Sequence, residues 1–96
     1  MGYVYLVHQE NSNLYKIGRT NNLEQRLVVM RSNNPSIKLV CYVETDYSKI
    51  LERKLLDRLR IPIKGKQRKV RGEWFELSSD WAKVIEFEIM TRFAEF

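Results

Sequence analysis

The sequence predicts a small α/β domain of the α+β kind, in which a central, mostly antiparallel sheet is flanked by helices. Segments rich in β-branched and aromatic residues alternate along the chain with segments whose apolar residues recur at helical spacing. The 96 residues include 44% hydrophobic ones, enough for one packed core, so we expect a single domain over residues 1–96. The predicted order of elements is β-β-α-β-α-β-α.

The first two elements are predicted to form a β-hairpin. Residues 3–7 and 14–18 have the composition of strands, and the polar stretch 9–13 between them has that of a hairpin loop. Because side chains alternate between the two faces of a strand, Tyr3 and Tyr5 share one face. Packing beneath a helix is a sufficient reason for tyrosines at such positions.

Lys16 lies on the second predicted strand, and its side chain points to the face opposite to those of Tyr15 and Ile17. A lysine on a short interior strand must either extend to solvent or lie beside a negative group. A phosphate or a carboxylate would serve, so both interpretations of this lysine stay open.

The next two elements are a helix and a third strand. Apolar residues at helical spacing predict the helix over residues 23–31, after N-cap candidates at 20–22. Arg26 is expected at the border of its apolar side, pointing toward the sheet, where the guanidinium fork suits a phosphate or a carboxylate. The alternative is an arginine that extends along the surface into solvent. Residues 37–43 have the composition of a strand.

The second helix is predicted to begin at a cap formed by Asp46 or Ser48 and to end before Pro62. Its apolar arc consists of Tyr47, Leu51, Leu55, Leu56 and Leu59. Glu52 falls inside this arc. Burying a carboxylate without a partner costs several kcal/mol, so the position requires either a basic side chain, in a salt bridge at the edge of the core, or a bound metal ion.

The last third of the chain begins with the highest concentration of positive charge. Residues 64–71 are predicted to form a loop, which is either a solvated turn or a contact to a nucleic-acid backbone. Its basic residues are Lys64, Lys66, Arg68, Lys69 and Arg71. A short strand is predicted over residues 73–77, followed by a closing helix with Ser78 or Ser79 as its cap.

Composition excludes several classes of function. The formal charge of +5 and the pI near 9.5 favour a polyanionic partner. With Cys41 as the only cysteine and His8 as the only histidine, neither an internal disulfide, nor a structural zinc site, nor a Ser/His or Cys/His catalytic pair is available. No apolar run is long enough for a membrane span and no signal peptide is present, so we expect an intracellular, cytoplasmic protein.

Four features follow one another along the chain: a Tyr-Val-Tyr segment, a Lys-Ile-Gly segment, a helix arginine and a helix glutamate. In this order they resemble the motifs of the GIY-YIG nuclease superfamily. Tyr-Val-Tyr at residues 3–5 stands in the place of the first motif, and Lys-Ile-Gly at residues 16–18 in the place of the second. Arg26 matches the arginine of the helix and Glu52 the metal-binding glutamate. The resemblance is closer to the branch, common in phage and other viral proteins, in which KIG replaces YIG and a Gly-Glu-Trp-Phe segment like residues 72–75 closes the domain.

The resemblance implies a GIY-YIG-like fold and a metal-dependent endonuclease that hydrolyses DNA phosphodiester bonds. Glu52 would hold Mg²⁺ or Mn²⁺, and Arg26 would offset the charge that develops on the phosphoryl oxygens. Tyr5 would orient or deprotonate the attacking water, with Lys16 and Arg19 as the cations that favour phenolate. Contacts to DNA are expected from Tyr3, Arg19, Lys64, Lys66, Arg68, Lys69 and Arg71.

The chain departs from the family pattern at three positions. Tyr3 replaces a glycine, Lys16 replaces the tyrosine of the second motif, and Leu56 lies near the place of a histidine that some relatives carry. Tyr15 does not substitute for the missing tyrosine, because strand alternation puts it on the opposite face.

Two functions other than a nuclease stay open. One is a nucleic-acid-binding module that keeps the fold without turnover, and the other is a protein-interaction domain that uses the Trp/Phe segment at residues 74–75. A domain of this size buries little DNA, so sequence-specific cleavage would require a second copy of the chain or a partner protein.

Overall fold

The computed structural model of the protein describes residues 1–60, 67–71 and 74–92. In this part of the chain the strands are β1 Gly2–Gln9, β2 Leu14–Thr20, β3 Ile37–Thr45, β4 Gln67–Arg71 and β5 Trp74–Leu77. The helices are α1 Leu23–Asn33, α2 Ser48–Arg60 and α3 Ser79–Met90. The predicted fold class is confirmed, and the predicted order of elements is confirmed apart from one additional strand.

The strands form one sheet in the order β3-β1-β2-β5-β4, and every neighbouring pair is antiparallel. β1 and β2 are the hairpin predicted from the sequence, and β1 lies between β2 and β3. The two strands that carry the candidate motifs are therefore both interior to the sheet, where backbone pairing on both sides fixes their register.

The additional strand corrects the prediction of a loop over residues 64–71. Residues Gln67–Arg71 form β4, which pairs with β5 at the edge of the sheet. An edge strand has one side to solvent, and charged residues there are a common protection against pairing with another chain, so a basic segment is compatible with a strand. Lys64 and Lys66 lie outside the described residues.

The sheet separates two cores. On one face, Val4 and Leu6 of β1 pack against α2 and α3, and we call this side the α2/α3 face. On the other, Tyr5 and Val7 pack against α1, and we call it the α1 face. The α1 core is completed by Leu27, Met30 and Ile37. Adjacent residues of β1 thus supply different cores, which is the alternation expected of a central strand.

Two of the predicted helix starts are confirmed by their caps. The Asn22 side chain accepts a hydrogen bond from the Gln25 backbone N–H, and the Ser78 side chain accepts one from that of Trp81. Tyr47 was expected in the apolar arc of the second helix, and this expectation is wrong, since the side chain is 59% exposed. Tyr47 precedes the first residue of α2, so helical periodicity does not fix the direction of its side chain.

None of the helices within residues 1–60 and 74–92 is long and apolar enough to cross a membrane.

Candidate active site

Tyr5 and Gly18 lie directly opposite each other on β1 and β2. Tyr5 is almost completely buried and belongs to the α1 core. A β-carbon built at position 18 would overlap the hydroxyl end of the Tyr5 ring. The glycine of the second motif is therefore required by close packing, because only a residue without a side chain leaves room for the ring across the strand pair.

Arg26 reaches the same tyrosine from α1. Its Nε donates a hydrogen bond to the Tyr5 hydroxyl oxygen at 3.4 Å, although the arginine as a whole is exposed. Within the described part of the chain this is the one hydrogen bond found for the Arg26 side chain. The terminal nitrogens of the fork are thus positioned to donate to an anion that approaches from solvent.

Lys16 shares the α1 face with these two residues. It is half-buried and pairs across the hairpin with Val7 of the α1 core. Tyr15 and Ile17 point into the opposite core, which confirms the predicted alternation along β2. Lys16 is consequently the lysine that strand pairing places on the same side of the sheet as Tyr5.

Arg19 lies on the α2/α3 face instead, because it follows Lys16 by three positions and side chains alternate along a strand. Its Nε donates to the Ser48 Oγ at 2.9 Å, and its Nη2 donates to the Asn21 Oδ1 at 2.7 Å. Ser48 is the first residue of α2 and is buried. These two acceptors hold the guanidinium between the end of β2 and the start of α2.

Glu52 lies in the second turn of α2 and is half-buried. It follows Ser48 by four residues, so both side chains lie on the same side of the helix, toward Arg19. A shallow cavity of about 450 Å³ is lined by Lys49, Ile50, Glu52, Arg53 and Leu56. Glu52 belongs to α2, which packs on the α2/α3 face, whereas the Tyr5 side chain points to the opposite, α1 face.

The predicted residues therefore form two groups. Tyr5, Lys16 and Arg26 lie on the α1 face, and Arg19 and Glu52 lie on the α2/α3 face. Of the residues expected to contact DNA, Arg68, Lys69 and Arg71 belong to β4.

Two cavities lie at the end of the sheet where β1 begins and β2 ends. A cavity of about 400 Å³ on one side is lined by residues that include Arg19, Asn21 and Ser48. A second cavity, of about 460 Å³, is lined by residues that include Asn21, Tyr3 and Tyr42. Since Asn21 lines both cavities, a ligand that passes over the end of β2 can contact both faces.

The donor set around Glu52 limits the kind of metal ion that it could hold. Among the described residues there is no group of three His, Cys, Asp or Glu side chains placed to bind an ion. Glu52 offers one carboxylate, with Lys49 and Arg53 lining the same cavity. Mg²⁺ fits such a donor set, because it retains several waters and is often held by one or two carboxylates together with substrate phosphates.

Three residues of this region were not identified from the sequence. Ser48 and Asn21 fix Arg19, and Tyr42 lies opposite Tyr5 on the other neighbouring strand. Ser48 precedes Glu52 by four residues, and this helical spacing could have identified it as a neighbour of Glu52. The register between β1 and β3, which places Tyr42, is a long-range property that the local pattern does not contain.

Comparison with protein families gives one finding. The family model for the T5orf172 domain matches residues 2–89 of the chain. Neither the comparison with curated proteins nor that with solved structures gave a match.

Proposed function

The chain belongs to the T5orf172 domain family, and from this membership and the site geometry we propose that it is a metal-dependent endonuclease that hydrolyses DNA phosphodiester bonds. The family supports a nuclease or a nucleic-acid-related function, and the assignment to GIY-YIG chemistry is our proposal. The observation that carries it is the contact of Arg26 Nε with the hydroxyl of Tyr5, whose ring occupies the space left by Gly18.

The residues of the α1 face would bind and activate the reacting groups. Tyr5 would orient the attacking water or accept its proton, and Arg26 would offset the negative charge that develops on the phosphoryl oxygens. Lys16, on the same face, would supply further positive charge to the substrate phosphate.

Glu52 would hold the metal ion, with water and phosphate oxygens completing its coordination. When bound, Mg²⁺ or Mn²⁺ would stabilise the charge on the leaving 3′ oxygen. The substrate strand would cross the end of β2, where Asn21 lines a cavity on each side. Arg19, held by Ser48 and Asn21, would contact the DNA backbone at this crossing.

We also propose that residues 1–96 act as one catalytic domain, with further contacts to DNA from Tyr3 and from the basic residues of positions 64–71. Sequence specificity would come from a second copy of the chain or from a partner protein.

The test is nicking of supercoiled plasmid with Mg²⁺ or Mn²⁺, with and without a chelator. We expect cleavage that the chelator abolishes and that Glu52→Gln lowers a hundredfold or more, on the order of the several kcal/mol that a metal ion supplies. Glu86→Gln is the matched control, a half-buried glutamate on α3. Equal cleavage by wild type and Glu52→Gln, or no cleavage of any DNA form, would contradict the proposal.

A second function is favoured by one observation. The Tyr5 side chain points to the α1 face, whereas Glu52 belongs to a helix that packs on the opposite face of the sheet. If no strand bridges the two faces, the domain would bind nucleic acid without turnover. It would then bind DNA in a salt-sensitive manner that survives Glu52→Ala, and steady cleavage by the wild type would exclude it.

A further inference from the structure

The α1 face continues beyond Tyr5 and Arg26 into a cavity that neither of these residues lines. It has a volume of about 460 Å³ and lies between the sheet and the first turn of α1. Its lining consists of Tyr3, Asn21, Asn22, Leu23, Glu24, Leu27 and Tyr42. This volume is within the range of small-molecule sites, and the mixture of aromatic walls with a few polar groups is typical of them.

Two tyrosine rings form the sheet side of this cavity. The ring centroids of Tyr3 and Tyr42 are 6.1 Å apart, and the ring planes are tilted by 58°. Tyr42 is 49% exposed, so its side chain is accessible to a ligand. Exposed aromatic rings on a sheet are the usual platform on which proteins stack unpaired bases.

The charges around the cavity favour a base over a phosphate. Glu24 lines the cavity, and Glu44 lies beside Tyr3, whose phenol pKa its negative charge raises. Carboxylates repel phosphate, but they accept hydrogen bonds from exocyclic amines such as N4 of cytosine. None of the described residues that line the cavity is basic.

The cavity adjoins the proposed site of cleavage. Tyr42 is the direct partner of Tyr5 across the β1–β3 pair, and Tyr3 precedes Tyr5 by two residues on the same face of β1. Two residues along a strand span about 7 Å. A base on this platform would therefore belong to a nucleotide next to the phosphate at Arg26.

We infer that Tyr3 and Tyr42 form a stacking site for an unpaired base beside the scissile phosphate, and that the substrate class is DNA with a single-stranded or unpaired nucleotide at the cut. The part of the inference that concerns the substrate class and the cut rests on the proposed function. The stacking site itself is defined by residues that the cleavage mechanism does not use.

The test uses a short single-stranded oligonucleotide that contains 2-aminopurine, titrated with protein in the presence of a chelator so that no cleavage intervenes. We expect its fluorescence to be quenched on binding, and Tyr42→Ala to weaken binding about tenfold, within the range measured for base–aromatic stacking, with loss of the quenching. Tyr42→Phe should keep both, because the ring remains. The same strand in a fully paired duplex should show no quenching.

Phe87→Ala is the matched control, since this aromatic side chain is 68% exposed on α3. Because Tyr42 is half exposed, its replacement should leave the circular dichroism spectrum unchanged. Wild-type binding and quenching by Tyr42→Ala would overturn the inference even if the protein cleaves plasmid DNA. Quenching that depends on Tyr42, without cleavage of any DNA, would support the stacking site and remove the proposed nuclease activity instead.

Discussion

The ring of Tyr5 occupies the space over Gly18 that a side chain would fill, across the central pair of strands. Two motifs that are separated in the sequence are thereby joined in one packing contact. The glycine determines where the tyrosine hydroxyl lies, and the hydroxyl in turn contacts Arg26. The contact makes the stability of the sheet and the geometry of the proposed site depend on the same atoms.

Gly18→Ala is expected to lower the free energy of unfolding by about 1–3 kcal/mol, the usual effect of overpacking a core, because the new methyl group overlaps the Tyr5 ring. Denaturant unfolding measures this change. The double variant Gly18→Ala with Tyr5→Leu should lose less free energy of unfolding than the sum of the losses in the two single variants. The reason is that the shorter side chain removes the overlap. Strict additivity would show that the ring does not occupy this space in solution.

Tyr5→Phe and Arg26→Lys are expected to lower cleavage while leaving the fold intact. Tyr5→Phe keeps the ring over Gly18, so the free energy of unfolding should change by about 1 kcal/mol or less. Because the variant lacks the hydroxyl, the rate of cleavage should fall by about 10²–10⁴-fold. Arg26→Lys removes the fork but keeps the charge, and about a hundredfold loss is expected. Plasmid nicking measures both, with Arg31→Lys on the same helix as the control. If Arg31→Lys lowered cleavage as much as Arg26→Lys, the loss would be a general effect of replacing arginine on α1 and would contradict the role of Arg26.

Cys41 is expected to be unreactive in the native protein. Burial, and to a smaller extent the negative charge of Glu86, raise the pKa of its thiol to about 12. At pH 8 the thiolate fraction, and with it the rate of labelling by a disulfide reagent, should be about a thousandfold lower than for an ordinary exposed cysteine. Labelling should become fast in denaturant, and fast labelling of the native protein would contradict the burial of this residue.

Glu88 is expected to make stability depend on pH. It is buried between α3 and α2, its Oε2 lies 3.1 Å from Arg58 Nη1, and its oxygens make no hydrogen bond within the described residues. Burial raises the pKa of this carboxyl above its ordinary value of 4.5, and Arg58 opposes the shift only in part. Because the native state holds the proton more tightly, the stabilising contribution of the protonated carboxyl is present below pH 4.5 and is lost as pH rises through the native pKa.

The measurement is the free energy of unfolding of wild type and Glu88→Gln at several pH values. The value for wild type minus that for Glu88→Gln should fall as pH rises above 4.5, because glutamine does not titrate. Glu86→Gln, on the same helix, should not remove this dependence. A difference that grows with pH would mean that the pair with Arg58 outweighs the cost of burial.

The local patterns of the sequence predicted much of the sheet and the face to which Lys16 points. Alternation along β2 correctly separated Lys16 from Tyr15, and cap chemistry located the starts of α1 and α3. These properties depend on neighbouring residues only. The contact between Tyr5 and Arg26 joins elements that are close in the sequence, since α1 comes directly after the hairpin.

Other features depend on contacts between distant segments and were beyond local patterns. Helical periodicity indicates which side of α2 is buried, but it does not indicate which face of the sheet the helix covers. That α2, which carries Glu52, packs on the face of the sheet opposite to the Tyr5 side chain is therefore seen only in the tertiary structure. Likewise, the high charge of Gln67–Arg71 concealed a strand whose pairing with β5 is set by the backbone.

The hydrogen bond between Arg26 and Tyr5 spans only 21 positions of the chain and three successive elements. A loop of this length closes at little entropic cost, so this half of the centre should assemble early in refolding or while the nascent chain is still being extended. Glu52 becomes part of the centre only after α2 has docked on the completed sheet. A newly made chain would therefore acquire its arginine–phenol pair before the carboxylate of Glu52 joins the proposed centre.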